Sequence, residues 1–217
     1  MQLPQHGVFV VADGMGGHEA GEVASQLIVE DIANIDYENQ SDKVAALRKS
    51  ILSSNEKIRD ISEQQFEGRT IGSTVVALSL STTHYNILWA GDSRAYLCRD
   101  GKLEQLTRDH SQVEEMLSQG LISEEEAENH PLSNAITRAV GAFDELLIDE
   151  IIGKTQPGDI FLLCSDGLYN ELKFNEIEVL IKQGNIADIN KALMHSALIR
   201  EANDNVTSVL VQIDKID

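Results

Sequence analysis

Two cysteines, three prolines and a single tryptophan are all that this chain of 217 residues holds of those types. Cys98 and Cys164 are too few for a disulfide framework and show no metal-ligand spacing. Basic residues are also scarce: 17 Lys+Arg face 36 Asp+Glu, a formal charge of −19. Nucleic acid and anionic lipid would be repelled by such a chain. No apolar run approaches the ~18–20 residues that span a bilayer. The opening MQLPQHG has neither the basic nor the apolar stretch of a signal peptide. A cytoplasmic globular protein is the default expectation. At this length a domain buries roughly 70% of the surface its unfolded chain exposes, so it needs no staple to hold a core.

Periodicity supplies the elements. Val8–Ala12 is a short, continuously apolar run that reads as a buried strand, with Asp13 directly after it. Ala20, Val23, Ala24, Leu27, Ile28 and Ile32 recur at three- and four-residue spacing and predict an amphipathic helix. A second helix is expected from about Asp42 to Gln65. The period then shortens. Thr74–Ser81, His84–Ala90, Arg94–Arg99 and Lys102–Thr107 read as strands, with Asp100-Gly101 as the turn of the last hairpin. A polar, helix-prone stretch covers Asp109–Asn134. Strands at Leu146–Lys154 and Asp159–Cys164, helices near Asn175–Gln183 and Ile186–Glu201, and a strand at Val206–Ile213 complete the order. Neighbouring strands joined by short turns predict antiparallel sheets with helices outside them, an α+β fold. Residues 1–217 read as one domain with an inserted lobe.

The stretch Asp13–Gly21 (DGMGGHEAG) lies where a buried strand meets a helix, and its four glycines permit close backbone approach. A dinucleotide fingerprint would need glycine or alanine at Glu19, and no Gly-Lys-Ser/Thr follows, so both phosphate-loop readings fail. A carboxylate at a strand end beside exposed backbone carbonyls suits a hard divalent cation. The competing structural reading has Asp13 cap the helix that starts at Gly17 or His18. The design recurs, however, at Asp166 in FLLCSDG, Asp92 in WAGDSR and Asp204 before the strand Val206–Val211. Four carboxylates brought together would repel unless cations neutralised them, and an all-oxygen set points to Mg²⁺ or Mn²⁺ rather than zinc.

DGMGGH, GST, AGDSRAY, LTRDHS, SDGL and DNVT, in this order, resemble the protein phosphatase 2C family of metal-dependent serine/threonine phosphatases, and its bacterial branch most closely. The resemblance runs from Gly7 to Ile213. It implies a four-layer α-β-β-α sandwich of two antiparallel sheets flanked by helices, with a flap lobe at about 109–134. It also implies hydrolysis of phosphoserine and phosphothreonine in proteins by a water activated between two Mn²⁺ or Mg²⁺ ions. On that likeness Asp13 bridges the two core ions, and Gly14 gives its carbonyl to one of them. Asp166 and Asp204 ligate the other. Asp92 with Asp166 holds a third, weaker ion, and Asn205 supports Asp204. His18 is a candidate for substrate positioning or proton transfer, against the reading of an exposed loop histidine. A phosphoprotein targeted by a serine/threonine kinase is the implied partner.

The family's initial strands carry an arginine for the substrate phosphate and an Asn-Glu-Asp motif; neither precedes VFVVADG here. Either the sequence begins inside a longer protein or it is a shortened member, and an edge of the first sheet is expected to stand open. Arg69 and Arg94 are available but do not match that position. The alternative reading is therefore a catalytically weak, metal-binding interaction module. Ser111–Glu150 holds ten acidic residues and one basic one, Arg138. That stretch is either a solvated acidic face or a preference for phosphosites flanked by Lys or Arg.

Overall fold

The computed structural model describes residues 1–128, 130–200 and 204–214, less the side chains of His18 and Glu128. The chain begins with β1 (Gln2–Leu3), turns through a short 3-10 helix and folds back along β2 (Val8–Val11). A two-residue strand, β3 (Gly14–Met15), leads into α1 (His18–Ala33) and α2 (Lys43–Gln65). The Asp42 carboxylate caps α2, accepting from the Ala45 amide at 3.0 Å. Then come β4 (Gly72–Ser73), β5 (Val75–Leu80), β6 (His84–Ala90), β7 (Arg94–Arg99) and β8 (Lys102–Gln105). Asp100 and Gly101, at φ of 51° and 72°, make the tight turn that matches strand twist between the last two. The lobe carries α3 (Gln112–Ser118) and α4 (Glu124–Glu128). The rest comprises β9 (Asp149–Lys154), β10 (Ile160–Cys164), α5 (Asp166–Tyr169), α6 (Phe174–Leu180), α7 (Ile186–Leu198) and β11 (Ser208–Gln212).

Pairing is antiparallel throughout. One sheet runs β1-β2-β5-β6-β9, the other β11-β10-β7-β8, and β3 pairs with β4 alone. Alternation along the strands then dictates the layers. Val8, Val10, Val75 and Ala77 face outward onto Ile28, Ile32, Leu47 and Ile51 of α1 and α2. Their neighbours Phe9, Val11, Val76 and Leu78 face inward and meet Leu97, Phe161 and Leu163 of the second sheet. On that sheet's far face Tyr96, Leu162 and Cys164 pack against Leu168, Ile177 and Leu193. This is the expected four-layer α-β-β-α sandwich. Cys164 is a small core residue with no exposure.

Three features depart from the sequence reading. The edge beside β2 is occupied by β1, paired Gln2 to Phe9 and Leu3 to Val8. Asp166 is the first residue of a one-turn helix rather than a strand-end turn. The last long helix stops at Leu198, and the expected end at Glu201 lies outside the described residues. The first two pieces, of two and four residues, are too short to leave a periodic signal. Among the described residues no helix is long and apolar enough to cross a membrane.

Phe161 sits between the sheets with no exposure, its ring edge-on to Tyr85 at 5.0 Å. Phe161→Ala should cost ~3–5 kcal/mol. Leu121→Ala, in a lobe position 66% exposed, should change stability by less than about 0.5 kcal/mol. Urea unfolding of the two variants checks the layer assignment, and similar losses would contradict it.

Candidate metal centre

Asp13 leaves β2 with its main chain pinned. Its N–H donates to Thr74 Oγ1 at 3.2 Å, while its carbonyl accepts from the Thr74 N–H at 2.8 Å and from Ser73 Oγ at 2.9 Å. Gly14 follows, pressed against α1: a Cβ there would lie 1.9 Å from the Gly21 carbonyl oxygen, so only glycine lets the chain pass. Asp92 occupies the turn between β6 and β7. Ser93, buried beside it, shares a 2.7 Å hydrogen bond with Thr74 Oγ1. One pair of hydroxyls therefore ties together the turns that carry Asp13 and Asp92.

Asp166 opens α5, and one turn later the Tyr169 hydroxyl donates to the Asp92 carbonyl at 3.0 Å. The short helix thus presents one carboxylate and fastens the turn that carries another. Asp204 stands on the exposed rim, its Oδ1 accepting from the Asn205 N–H at 2.7 Å. The Asn205 carbonyl accepts in turn from Ser165 Oγ at 3.2 Å. Both of these contacts of Asn205 are made by its main chain. The N-cap of α1 is Gly17 with no side-chain bond, so Asp13 does not cap that helix. His18 heads α1, and its side chain lies outside the described residues.

Burial and mutual repulsion dominate the electrostatics. The Asp13 carboxyl is raised from 3.8 to about 7, first by burial and then by the charges of Asp166, Asp204 and Asp92. Asp92 is raised to about 7 by burial, with Asp166 and Asp109 adding to it. Asp166 is raised by burial and by the charge of Asp204. Asp166 Oδ1 is buried with no hydrogen-bond partner, and Oδ2 receives only a long 3.3 Å bond from Asn170. An orphaned carboxylate oxygen costs free energy unless something positive reaches it.

Two openings give access to the cluster. A cavity of about 670 Å³ is lined by Asp13, Gly14, Gly21, Glu22 and Asp204. A second, of about 890 Å³, is lined by Asp92, Arg94, Asp166 and Lys173, and by Glu114 and Glu124 of the lobe. Among the described residues no three His, Cys, Asp or Glu side chains enclose a single point. Asp13 and Asp204 line the smaller cavity beside Gly14, and Asp92 and Asp166 line the larger one. Such donors fit Mg²⁺ or Mn²⁺, which take one or two carboxylates and keep several waters, better than a tetrahedral zinc set.

Sequence reasoning assigned no role to Thr74, Ser93 or Tyr169, although the first two stand in the GST and AGDSRAY motifs. Arg94 proves committed elsewhere. Its guanidinium forks onto Asp109 at 2.7–3.1 Å and lies 3.5 Å over the Tyr169 ring. It braces the tyrosine that holds Asp92.

Raised carboxyl pKa values have a stability consequence of definite sign. Asp13 and Asp92 hold their protons more tightly folded than unfolded, so their contribution is full below 3.8 and is lost as pH rises through about 7. The urea midpoint of metal-free protein should therefore fall between about pH 4 and pH 8, and Asp13→Asn should flatten part of that fall. A profile that rises with pH over this window would contradict the assignment.

With fold and site in place, comparison with known proteins is direct. A family model described as protein phosphatase 2C matches residues 2–116. The serine/threonine phosphatase stp of Listeria monocytogenes is 36% identical over 213 residues, spanning 95% of this chain and 84% of that protein. Among solved structures, PppA, described as a key regulatory component of T6SS in Pseudomonas aeruginosa, has a TM-score of 0.88 and 38% identity. That match covers 98% of this chain and 88% of that one. The catalytic domain of the serine threonine protein phosphatase PstP, in complex with two manganese ions, has a TM-score of 0.86 and 32% identity, with 96% and 88% covered. The likeness embraces both sheets, their helical covers and the aspartate turns between them: the chain belongs to the protein phosphatase 2C family and is a protein serine/threonine phosphatase of the bacterial type.

Proposed function

We propose that this phosphatase hydrolyses phosphoserine and phosphothreonine in proteins with two Mn²⁺ or Mg²⁺ ions held by Asp13, the Gly14 carbonyl, Asp166 and Asp204. Asp92 and Asp166 would hold a third, weaker ion. The observation that carries this reading is the unpartnered, buried Asp166 Oδ1 among carboxyls that raise one another's pKa. The two manganese ions of the PstP catalytic domain support the ion count. When bound, such ions supply a water acidified toward neutrality and positive charge for the phosphoryl oxygens.

The chain's own contribution is orientation. The paired main-chain bonds of Asp13 to Thr74 leave its carboxylate little freedom beyond its own side-chain rotation. Tyr169 holds the Asp92 turn in the same way, and Ser165 secures Asn205 beside Asp204. A phosphorylated segment of a kinase target would enter by the larger cavity, where Lys173 and Asn170 line the wall opposite the flap. His18, at the head of α1, remains the candidate for positioning or proton transfer. Both cysteines are free and buried, in keeping with a reducing, cytoplasmic setting.

Phosphate release from a phosphopeptide, with Mn²⁺ and with chelator, tests the reading. Losing a partner that merely orients a metal ligand costs 10–100-fold, so Asp13→Ala and Asp166→Ala should each lower activity by at least ~100-fold. Asp92→Ala should lower turnover while calorimetry still finds the core ions. Equal loss of Mn²⁺ binding in Asp92→Ala and Asp13→Ala would rule out a separate site at Asp92. Mn²⁺ binding without turnover would mean the interaction-module reading is right. Binding should also release protons at about pH 6, where the raised carboxyls are protonated, and few at about pH 8. Calorimetry in buffers of different ionisation enthalpy reads that difference.

A further inference from the structure

Apart from the aspartates, the described residues include a buried histidine whose ring is fully engaged. His110 is 7% exposed and lies between β8 and α3. Its main-chain N–H donates to the Gly91 carbonyl at 3.0 Å, and its ring Nδ1 accepts from the Gly91 N–H at 3.1 Å. Both backbone groups of the residue just before Asp92 are thus satisfied by one partner, once through its main chain and once through its ring. Gly91 needs that hold. Its φ is 116°, outside any strand, and a Cβ there would lie 2.6 Å from that of Thr74.

The far side of the ring is as fully specified. Because Nδ1 accepts, the proton of the neutral imidazole sits on Nε2. Nε2 lies 3.2 Å from Asp149 Oδ2, which accepts that bond. Arg138 Nη1 is also 3.2 Å from Nε2, but both are donors; the cation is instead satisfied by Asp149 Oδ1 at 2.8 Å. Burial, helped by Arg138 and opposed by Asp149, holds His110 below the ordinary imidazole range. The Trp89 ring stacks on it at 5.9 Å, 8° from parallel.

The flap converges on the same residue. The His110 carbonyl accepts from the Thr137 N–H at 2.7 Å, where the flap returns. The next residue, Ser111, caps α3, its Oγ accepting from the Glu114 N–H at 3.2 Å, where the flap departs. Both roots of the flap and the Asp92 turn thus meet at His110 and its neighbour Ser111, the flap through the His110 main chain and the Ser111 hydroxyl and the turn through the ring.

We propose that His110 is a positioning residue, whose Nδ1 holds the Gly91 amide and thereby fixes Asp92 relative to Asp166 and the flap. It touches neither substrate nor ion and acts on turnover only through Asp92, so its kinetic consequence rests on the assignment of Asp92 above.

Three measurements test it. Ring ¹⁵N NMR of the metal-free wild type should show His110 as the Nε2–H tautomer, with the Gly91 amide protected from exchange. A proton on Nδ1 overturns the proposal. His110→Phe keeps the stack on Trp89 but removes the acceptor, whereas His110→Asn places an amide oxygen the same number of bonds from Cα as Nδ1. His110→Phe should lose amide protection at residues 91–93, and its kcat should fall roughly tenfold at unchanged KM, the size of one unsatisfied buried amide. His110→Asn should recover both. Equal damage in the two variants, or an unaffected His110→Phe, overturns the proposal. If His110→Phe does not fold, the tautomer and Gly91 protection in the wild type decide. Asp92→Ala separates the two layers of inference. If it turns over like wild type, the reading of Asp92 has failed; if it is slow and His110→Phe is not, the fault lies with His110.

Discussion

Half-buried carboxylates within reach of one another are the constraint on which this end of the molecule depends. Asp13, Asp92 and Asp166 each have a raised pKa, burial being the largest cause and neighbouring carboxylates the next. Left to relax, such groups would turn toward water. They stay because the main chain around them is over-determined. Asp13 is held by two residues of the β4–β5 junction, Asp92 by Tyr169 and the Gly91 bonds, and Asp204 by its own following amide. At Asp13 and Asp92 the restraints act on backbone, and both residues line the cavities. Such an arrangement stores repulsion that only positive charge can relieve.

The four-layer architecture makes that arrangement possible. β2 and β6 belong to one sheet and β10 to the other, yet the aspartates they lead into gather at one end of the stack. The inter-sheet core of Phe9, Val76, Leu78, Phe161 and Leu163 fixes the separation of the sheets. Close packing resists adjustment, so the spacing of the carboxylates inherits the rigidity of that core. Where the two small pieces β3 and β4 pair, Gly14 and Gly72 replace side chains with backbone contact, and the loop after Asp13 passes hard against α1.

Much of this could be read in the sequence because it is periodic. Val8–Val11, His84–Ala90 and Arg94–Arg99 declare themselves by continuous apolar character, and α1 and α2 by their spaced aliphatics. The aspartates were legible too, since each interrupts an apolar run. What stayed hidden was what short pieces and single atoms do. One turn of helix at Asp166–Tyr169 has no period to detect. Thr74 and Ser93 are ordinary strand-end hydroxyls until the fold brings them to 2.7 Å. Arg94 looked free to bind phosphate, and only the third dimension shows Asp109 and Tyr169 occupying it. Long-range partners of this kind, 15 to 77 residues apart, lie beyond any window of local pattern.

Charge gives the last link between composition and chemistry. A net −19 should repel an anionic phosphoprotein as surely as it repels nucleic acid. The larger cavity moderates this locally, because its Asp109 is matched by Arg94 and its Glu114 by Arg108. Glu124 and Lys173, which also line it, are of opposite sign, so the net excess there equals two carboxylates, the number of the pair Asp92 and Asp166 assigned to a cation. Glu125 and Glu126 of α4 are exposed, where water and salt screen them within about a Debye length of 8 Å. A phosphoryl group therefore meets a wall whose other charges cancel in sum, and whether it is attracted or refused depends on whether Asp92 and Asp166 are neutralised. Cation binding on this reading comes before substrate binding, as a matter of electrostatics rather than of shape.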